Sequence, residues 1–405
     1  MSKVRTAIVI GSGIAGPVTA AALAKAGIEA TVHEAYPAES DGIGGALALA
    51  PNGLAALDII DAADAVRGIA VPMRRTAMTL GRGKPRVLPG LPDVPPLQVV
   101  ERGDLHRVLR ERALAAGVRF AYGKRLQAAD DGPTGVTARF TDGSSVRADV
   151  LIGADGVRST VRTLIDPNAP GPDYTGMLGF GGLADVDLDV EPGTMFFAYG
   201  SRAYYLYWPQ PGGGTAWGAN LPSRTYMTLT EARAVPAEKW LRTLRETYEG
   251  DDPGGVLAAR TVPETLQVVG GLHIMPPVPH WYRGRMVLVG DAVHAPSNST
   301  GQGASLAIES AVELARCLRD LPDPSSAFIA YERLRRPRVE RITARGRKVN
   351  RTKTPGPTTR RAMSLLMPLA FKAMNIEKSL GWEQRHTIDW DAPATPTPTT
   401  TSSAA

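Results

Sequence analysis

Hydrophobic and polar positions along this chain switch repeatedly between a period of two and a period near four. Residues 4 to 10 (VRTAIVI) form a short apolar run that reads as a strand. After Gly11 the pattern turns helical and Ala-rich from 14 to 26. Gly27 closes that stretch, being free to adopt the left-handed backbone that ends helices. Ile28 to Glu34 reads as a second strand, so strand, turn, helix and strand make one βαβ unit of about 30 residues. Leu47 to Ile60 contains Pro51-Asn52-Gly53 followed by a helical pattern. Leu105, Val108, Leu109 and Leu114 recur at helical spacing, and Gly117 ends that segment. Val118 to Ala121 reads as a strand. Residues 134 to 150 read as a hairpin around a Thr-Asp-Gly-Ser turn, leading into the apolar run Val150-Leu151-Ile152.

From about 170 to 280 strand patterning dominates, with helix confined to 231 to 249. Thr194 to Tyr199, Ala203 to Trp208, Thr215 to Asn220 and Gln267 to His273 are the expected strands. Tyr204, Tyr205, Tyr207, Trp208 and Trp217 gather here. Aromatic residues favour strands in any case. They also suit a pocket for a planar or apolar ligand, which makes Tyr205, Tyr207, Trp208 and Trp217 candidate pocket residues. Register decides which way each points. Met286 to Val289 returns to an apolar strand. Helix is expected from Gly303 to Arg319 and through 325 to 350, with Pro337 as a kink or boundary. Residues 361 to 380 read as amphipathic helix, for core packing or for a peripheral membrane or partner contact. Residues 391 to 405 (DAPATPTPTTTSSAA) read as a disordered tail.

A length of 405 residues allows two or three domains around a large core. The single cysteine, Cys317, excludes an internal disulfide and a thiolate metal cluster, and its apolar helical setting reads as packing. No secretory leader precedes the first strand, and no apolar run reaches the ~20 residues that span a bilayer. A cytoplasmic protein is expected. The net charge of +6 is local. Twelve of the 46 Lys and Arg fall in 333 to 361 with one of the 40 acids, leaving 34 basic and 39 acidic residues elsewhere. That segment reads either as a solvated helix and loop or as an attractor of an anionic surface or of the phosphates of NADPH. Without interleaved aromatics for base stacking it does not suit nucleic acid.

Three motifs carry the chemistry. Gly11-Ser-Gly13-Ile-Ala-Gly16 follows a strand and opens a helix. Gly11 permits the tight turn, Gly13 lets backbone approach a pyrophosphate, and Gly16 allows close strand–helix packing, with free N–H groups of the helix start facing the phosphates. Glu34, eighteen residues beyond Gly16, can accept hydrogen bonds from ribose hydroxyls and would repel a 2′-phosphate, so FAD or NAD suits this site and NADP does not. Asp149 to Arg162 (DVLIGADGVRSTVR) sends a strand into an Asp155-Gly156 turn and a basic helix start. Gly290-Asp291-Ala-Val-His294 places Asp291 at a strand's carboxyl end, where open α/β sheets bind ligands, and Gly301-Gln302-Gly303 then starts a helix. His294 reads as a turn residue rather than an acid or base. No second His or Cys stands at ligand spacing, so no metal site is assigned.

In combination and order, these motifs resemble the group A flavin monooxygenases, the para-hydroxybenzoate hydroxylase-like superfamily. Arg102 and Leu105 match that family's Arg-x-x-Leu, and Trp281 with Gly284-Arg285 is similar to the approach to its third motif. The resemblance covers roughly residues 4 to 350. It implies an α/β fold (α+β overall): a Rossmann-like FAD-binding domain, a β-sheet-rich substrate domain and C-terminal helices. The expected parts are 1–170 and 281–350 for FAD, 171–280 for substrate, a helical extension over 351–390 and the tail over 391–405. Gly11, Gly13, Gly16 and Glu34 would hold the ADP half of FAD, Arg102 the phosphate or ribitol, Leu126 the adenine through its backbone, and Asp291 the ribitol. Backbone amides at Gly303, Ala304 and Ser305, after Gly301, would face the isoalloxazine pyrimidine. Asp155 and Gly156 belong to the motif linked to both FAD and NAD(P)H.

The implied activity is insertion of one oxygen atom from O2 into an aromatic or polycyclic small molecule, with NADPH or NADH as electron donor. Hydroxylation is favoured, and epoxidation and Baeyer–Villiger insertion stay open, as do oligomeric state and the catalytic residues. The Ala-, Gly- and Arg-rich composition suits a secondary-metabolism setting. One departure stands out: relatives often carry Pro four residues after the motif His, where this chain has Asn298, with Pro296 two residues earlier. Rival readings are a flavin reductase, dehydrogenase or oxidase on the same fold, and a non-catalytic FAD-binding regulator. A halogenase is disfavoured, since no Trp-x-Trp-x-Ile-Pro segment occurs.

Overall fold

The computed structural model describes residues 3–38, 45–80, 84–353 and 377–394. The chain opens with β1 (Thr6–Ile10), α1 (Ala15–Lys25) and β2 (Glu29–His33). Next come β3 (Ala46–Leu49), α2 (Pro51–Asp58), α3 (Ala63–Ile69), β4 (Val71–Met73), β5 (Arg75–Leu80), β6 (Arg86–Val87) and β7 (Leu97–Glu101). α4 (Arg102–Ala115), β8 (Arg119–Ala121), β9 (Leu126–Gly132), β10 (Gly135–Phe140), β11 (Ser145–Ala148), β12 (Val150–Gly153) and α5 (Thr160–Ile165) complete the first part. The middle holds β13 (Asp173–Ala184), β14 (Thr194–Tyr199), β15 (Tyr204–Pro209), β16 (Thr215–Pro222), α6 (Leu229–Ala234), α7 (Ala237–Tyr248), α8 (Gly254–Arg260) and β17 (Gln267–Ile274). β18 (Tyr282–Arg283), β19 (Met286–Leu288), α9 (Gly303–Asp320) and α10 (Pro324–Thr352) follow, and then short helical turns over Glu377–Gly381 and Trp382–Gln384.

The first sheet has the order β18-β19-β12-β1-β2-β8 and is parallel except for β18. Its central strands are buried on both faces (Ile8, Val9, Val150, Leu151, Ile152, Val287 and Leu288), the pattern expected where helices cover a parallel sheet. α1 packs against both α4 and α9. The second sheet runs β17-β13-β16-β15-β14-β5-β6 and is antiparallel apart from the β14–β5 pair. Helices α6, α7 and α8 supply Ala232, Trp240, Leu244, Tyr248, Leu257 and Ala258 to the core on one of its faces. Met73 and Val99, from the small sheet β3-β7-β4, pack with Met195, Trp208 and Ala216 on the other. Strands β5 and β6 come from 75–87, inside the stretch that the sequence boundaries assign to the first FAD-binding part, yet they extend the second sheet.

Two expectations about the C-terminal half are narrowed. α10 runs on through Pro337, so of the two readings of that proline the boundary is excluded. Within the described part of the basic run, several arginines are engaged by the protein itself, while Arg333, Arg341 and Lys348 are exposed. Glu309, fully buried on α9, pairs with Arg335 at 2.6 Å and with Arg338 at 2.8 Å, and accepts from Asn52 Nδ2 at 2.6 Å. Arg338 also donates to the carbonyls of Trp382 and Glu383, and Arg345 makes a bidentate pair with the buried Glu383 at 2.7 Å. Arg341 stacks on Trp382 with its guanidinium 3.8 Å from the ring centre. These bonds fasten 377–394 against α9 and α10, helped by Arg316 to the carbonyls of Asp389 and Ala392. Of the helical extension expected over 351–390, residues 354–376 lie outside the described residues, as do 395–405 of the expected tail.

Breaking a buried pair strands the partner charge, at a cost of about 3–5 kcal/mol. Glu309→Gln keeps the shape and leaves Arg335 and Arg338 without their carboxylate. Urea denaturation is expected to show a loss of that size, whereas Glu29→Gln, at the exposed pair with Arg119, should cost under about 1 kcal/mol.

Candidate active site

The strand registers bring the three sequence motifs to one edge. Ile10 aligns with Gly153 and with His33, and Gly153 aligns with Leu288. The residues that follow each strand therefore meet: Gly11, Glu34, Asp155 and Asp291. Bonds across the edge lock them, with Gly11 N–H donating to His33 O at 2.8 Å, Ala154 N–H to Ile10 O at 2.8 Å and Val289 N–H to Gly153 O at 2.9 Å. A β-carbon on Gly11 would lie 2.6 Å from Ala154 O, and one on Gly16 would collide with Gly11 O. Gly13 differs: a β-carbon there would meet nothing within 4 Å. Two glycines are thus demanded by packing, and the third borders open space.

Each further residue takes a place along that edge. Both Glu34 oxygens accept backbone N–H groups, from Ser12 at 2.7 Å and Tyr36 at 2.9 Å, so the carboxylate clamps the glycine turn as well as facing the cleft. Lys124 N–H donates to Glu34 O, which sets the start of β9 and Leu126 beside Glu34. Leu126 itself is buried, with its backbone opposite Phe140. Asp291 is exposed at the edge. Desolvation by the surrounding protein raises its carboxyl above the usual carboxylate range, and the nearby Arg102 guanidinium, itself exposed, pulls it back. Asp155 is taken up by its own helix. It accepts from Ser159 Oγ at 2.5 Å, Thr160 N–H at 2.7 Å and Val161 N–H at 3.1 Å, at the start of α5. Gly156 has φ +77° and borders open space.

At the other end, Gly301 takes the left-handed backbone (φ +62°) and turns the chain into α9. α1 and α9 have no side-chain cap, as is true also of α2, α3, α4, α7 and α8, whereas α5, α6 and α10 are capped by Ser159, Thr228 and Asp323. The first amides of α9, at Gly303, Ala304 and Ser305, are thereby left without a side-chain acceptor at the helix's positive end. Ser305 Oγ accepts from Ala50 N–H at 3.0 Å, so its hydroxyl holds α2 in place. Asn52 donates to Gln302 Oε1 at 2.9 Å from the same side.

Sequence reasoning missed several residues that shape this site. Arg162, 3% exposed, donates to Ala292 O at 2.8 Å and to Val157 O at 2.9 Å, bolting the second motif to the third. Its place inside DVLIGADGVRSTVR was the available signal. Asn52, Gln302 and Glu309 carried none, since their partners are remote in sequence. Asn298 reaches the second sheet, its side-chain amide lying 3.3 Å from that of Asn220.

The aromatic candidates divide between the two faces of the second sheet. Tyr205, Tyr207 and Trp217 face the helix-covered side of the second sheet, where they pack with Trp240, Leu244 and Tyr248. Tyr205 Oη meets Gly254 N–H at 3.2 Å, and Trp217 Nε1 donates to Thr261 Oγ1 at 3.0 Å. Trp208 points the opposite way, into the cluster with Met73 and Val99. The pleat of β15 places Tyr204 and Leu206 on that same inner side, with Gly218 and Asn220 of β16 across from them.

His294 is structural. It is buried, its Nε2 lies 2.8 Å from Ser310 Oγ, and burial, with help from the Arg335 guanidinium, pushes it down to about 3. A cavity of about 630 Å³ between Met275–Trp281 and α10 includes His294 in its lining, but none of the motif glycines or carboxylates, so it is separate from the cleft. Among the described residues no His, Cys, Asp or Glu cluster could hold a metal ion, and no helix is long and apolar enough to cross a membrane.

Glu34, the open flank of Gly13, Asp291 with Arg102 nearby, and the start of α9 thus lie along one strand edge. Glycine turns, carboxylates and a helix start gathered at the carboxyl edge of a parallel sheet fit an FAD-binding oxidoreductase. A family model described as an FAD binding domain matches residues 3–346. An FAD-dependent urate hydroxylase of Klebsiella pneumoniae is 31% identical over 364 residues, which cover 84% of this chain and 88% of the relative. A 3-amino-4-hydroxybenzoate 2-monooxygenase of Streptomyces platensis is 32% identical and covers 84% and 86%. The crystal structure of Klebsiella pneumoniae HpxO with FAD and uric acid superposes with a TM-score of 0.81 at 27% identity, over 93% of this chain and 95% of that one. This chain belongs to the group A family of FAD-dependent monooxygenases.

Burial holds three imidazoles below their ordinary 6.5: His33 and His386 at about 4 and His294 at about 3. Below pH 6.5 the unfolded chain takes up these protons and the folded chain does not, so stability falls as pH falls. The melting temperature is expected to decline between pH 6.5 and 5, before the ordinary carboxylate range is reached. His294→Asn should flatten that slope, and a melting temperature constant across the window would contradict this account.

Proposed function

We propose that this monooxygenase adds one oxygen atom to a planar aromatic or heteroaromatic substrate held between the start of α9 and the inner side of the second sheet. The observation that carries the reading is the loop that leads into α9, which sets Asn298 beside Asn220 of that side. Relatives named for urate, for 3-amino-4-hydroxybenzoate and for 6-hydroxynicotinate act on planar rings, which supports it. FAD, when bound, supplies electron transfer from NAD(P)H and activation of O2.

The protein's part is to bind and to orient. Gly11, Gly13 and Gly16 receive the pyrophosphate, Glu34 and the backbone at Leu126 the adenosine, and Arg102 with Asp291 the ribitol side. The amides at Gly303, Ala304 and Ser305 stabilise negative charge on the pyrimidine edge. Asp155 and Gly156 act through the shape of their turn. Leu206 and Trp208 keep water from the ring. The enzyme works in the cytoplasm on a small-molecule substrate.

Two measurements test this. FAD-loaded protein supplied with ¹⁸O2 and NADH or NADPH is expected to oxidise the nucleotide faster with a ring compound present, and to leave one ¹⁸O in the product. Nucleotide oxidation that yields only hydrogen peroxide across a broad panel of rings would support an oxidase instead. Separately, Gly13→Ala puts a methyl group into open space, and it should fold normally yet bind FAD at least tenfold more weakly by fluorescence titration. Gly16→Ala collides with Gly11 O, so it should lower the melting temperature of the apoprotein as well.

A further inference from the structure

One buried cation has no task in the site as described so far. Lys353 directly follows α10 and is 5% exposed. Its ammonium stands 4.2 Å from the centre of the Tyr204 ring, and the Asn220 amide oxygen turns toward it at 2.6 Å. Both partners belong to the inner side of the second sheet. Neither is an anion, and among the described residues no carboxylate pairs with Lys353. Burial alone acts on the amine and pushes it down to about 7. A buried charge without a counter-ion is costly, so a protein that keeps one holds it for a ligand or pays in stability.

The position of Lys353 agrees with a ligand role. The end of α10 packs on the loop that leads into α9. Asn350 Oδ1 accepts from Ser297 and Ser299 hydroxyls at 3.4 Å, and a β-carbon on Gly346 would meet the Thr300 methyl at 2.5 Å. The same loop carries Asn298, beside Asn220. The ammonium therefore sits at the corner where the second sheet, the loop before α9 and α10 meet. A ring cation–π contact and one amide oxygen leave two of its three N–H donors unassigned.

We propose that Lys353 is a specificity-determining residue that captures an oxyanion carried by the ring substrate, a carboxylate or an ionised ring hydroxyl. This rests on the reading of the cleft as a ring-oxygenating site. Bound there, the oxyanion supplies the counter-charge that the protein lacks and fixes which edge of the ring enters the cleft. Asn220 and Tyr204 hold the ammonium in place; they do not themselves select the substrate.

The test uses FAD-loaded enzyme and three variants, Lys353→Met, Lys353→Gln and Lys353→Arg. Hydroxybenzoates and hydroxypyridine carboxylates, the matching carboxamides, and simple phenols are titrated against the flavin absorbance and against NAD(P)H oxidation. Lys353→Met and Lys353→Gln are expected to weaken binding of the acids at least tenfold, in Kd and in KM, while the carboxamides stay within twofold. Lys353→Arg should restore most of the acid preference. A loss confined to phenols at a pH that ionises them assigns the ring oxygen instead of the carboxylate. Loss of a costly buried cation should leave the melting temperature and FAD content of the Met variant unchanged or raised. Equal weakening of acids and amides, or no change in either, overturns the inference while the ring-oxygenase reading stands. A flavin in the native enzyme that responds to no ring compound, charged or neutral, overturns both.

Discussion

Gly11, Gly16 and Gly290 sit at contacts with no room for a β-carbon: Gly11 against the backbone of Ala154, Gly16 against Gly11 itself, and Gly290 against Ala15 and Ala307; these contacts set the positions of the three turns. A β-carbon on Gly290 would press on Ala15 at 2.9 Å and on Ala307 at 3.2 Å, so the starts of α1 and α9 are held together through it. The parallel register of β1, β12 and β19 aims the three turns at the same edge. Helix starts without caps are unfavourable in isolation. Here they are fixed by packing beneath them and left open above, which is the arrangement an anionic cofactor rewards.

Behind the cleft, the load passes to charge. Glu309 joins α2, α9 and α10 through Asn52, Arg335 and Arg338, and through Arg338 the segment 377–394. The pairing offsets the desolvation of three ions, though a well-packed apolar cluster could be equally stable. What the network supplies is direction: charge-assisted bonds accept few geometries, so the start of α9 is held at one angle to the strand edge.

Legibility in the sequence followed the range of the interactions. The centre of the parallel sheet announces itself because β1, β12 and β19 are near-continuous apolar runs that lead into Gly11, Asp155 and Gly290-Asp291. β13 escaped notice as a strand because Gly176, Gly179, Gly181 and Gly182 interrupt its pattern. The direction of the β15 aromatics was hidden for a different reason. Both faces of that strand are buried, so Tyr204, Tyr205, Tyr207 and Trp208 offer no polar face to mark the outside. The Asn52–Glu309 bond spans 257 residues, and nothing local at either end betrays it. The arginines of α10 looked like surplus surface charge because the carboxylates that hold several of them, Glu309 and Glu383, lie outside the basic segment, and other acceptors are carbonyls, which composition does not count.

The interleaving of the two sheets has a consequence for how this chain acquires its shape. Strands β5 and β6 are synthesised early but join the second sheet only when β14 emerges, and the β19 edge of the first sheet is added beside β12 only after the second sheet's strands. Neither sheet can be finished by a contiguous stretch leaving the ribosome. Such long-range pairing delays closure of the core and prolongs exposure of unpaired edges. Severing the polypeptide between the sheets would therefore yield two incomplete fragments, not two independent modules.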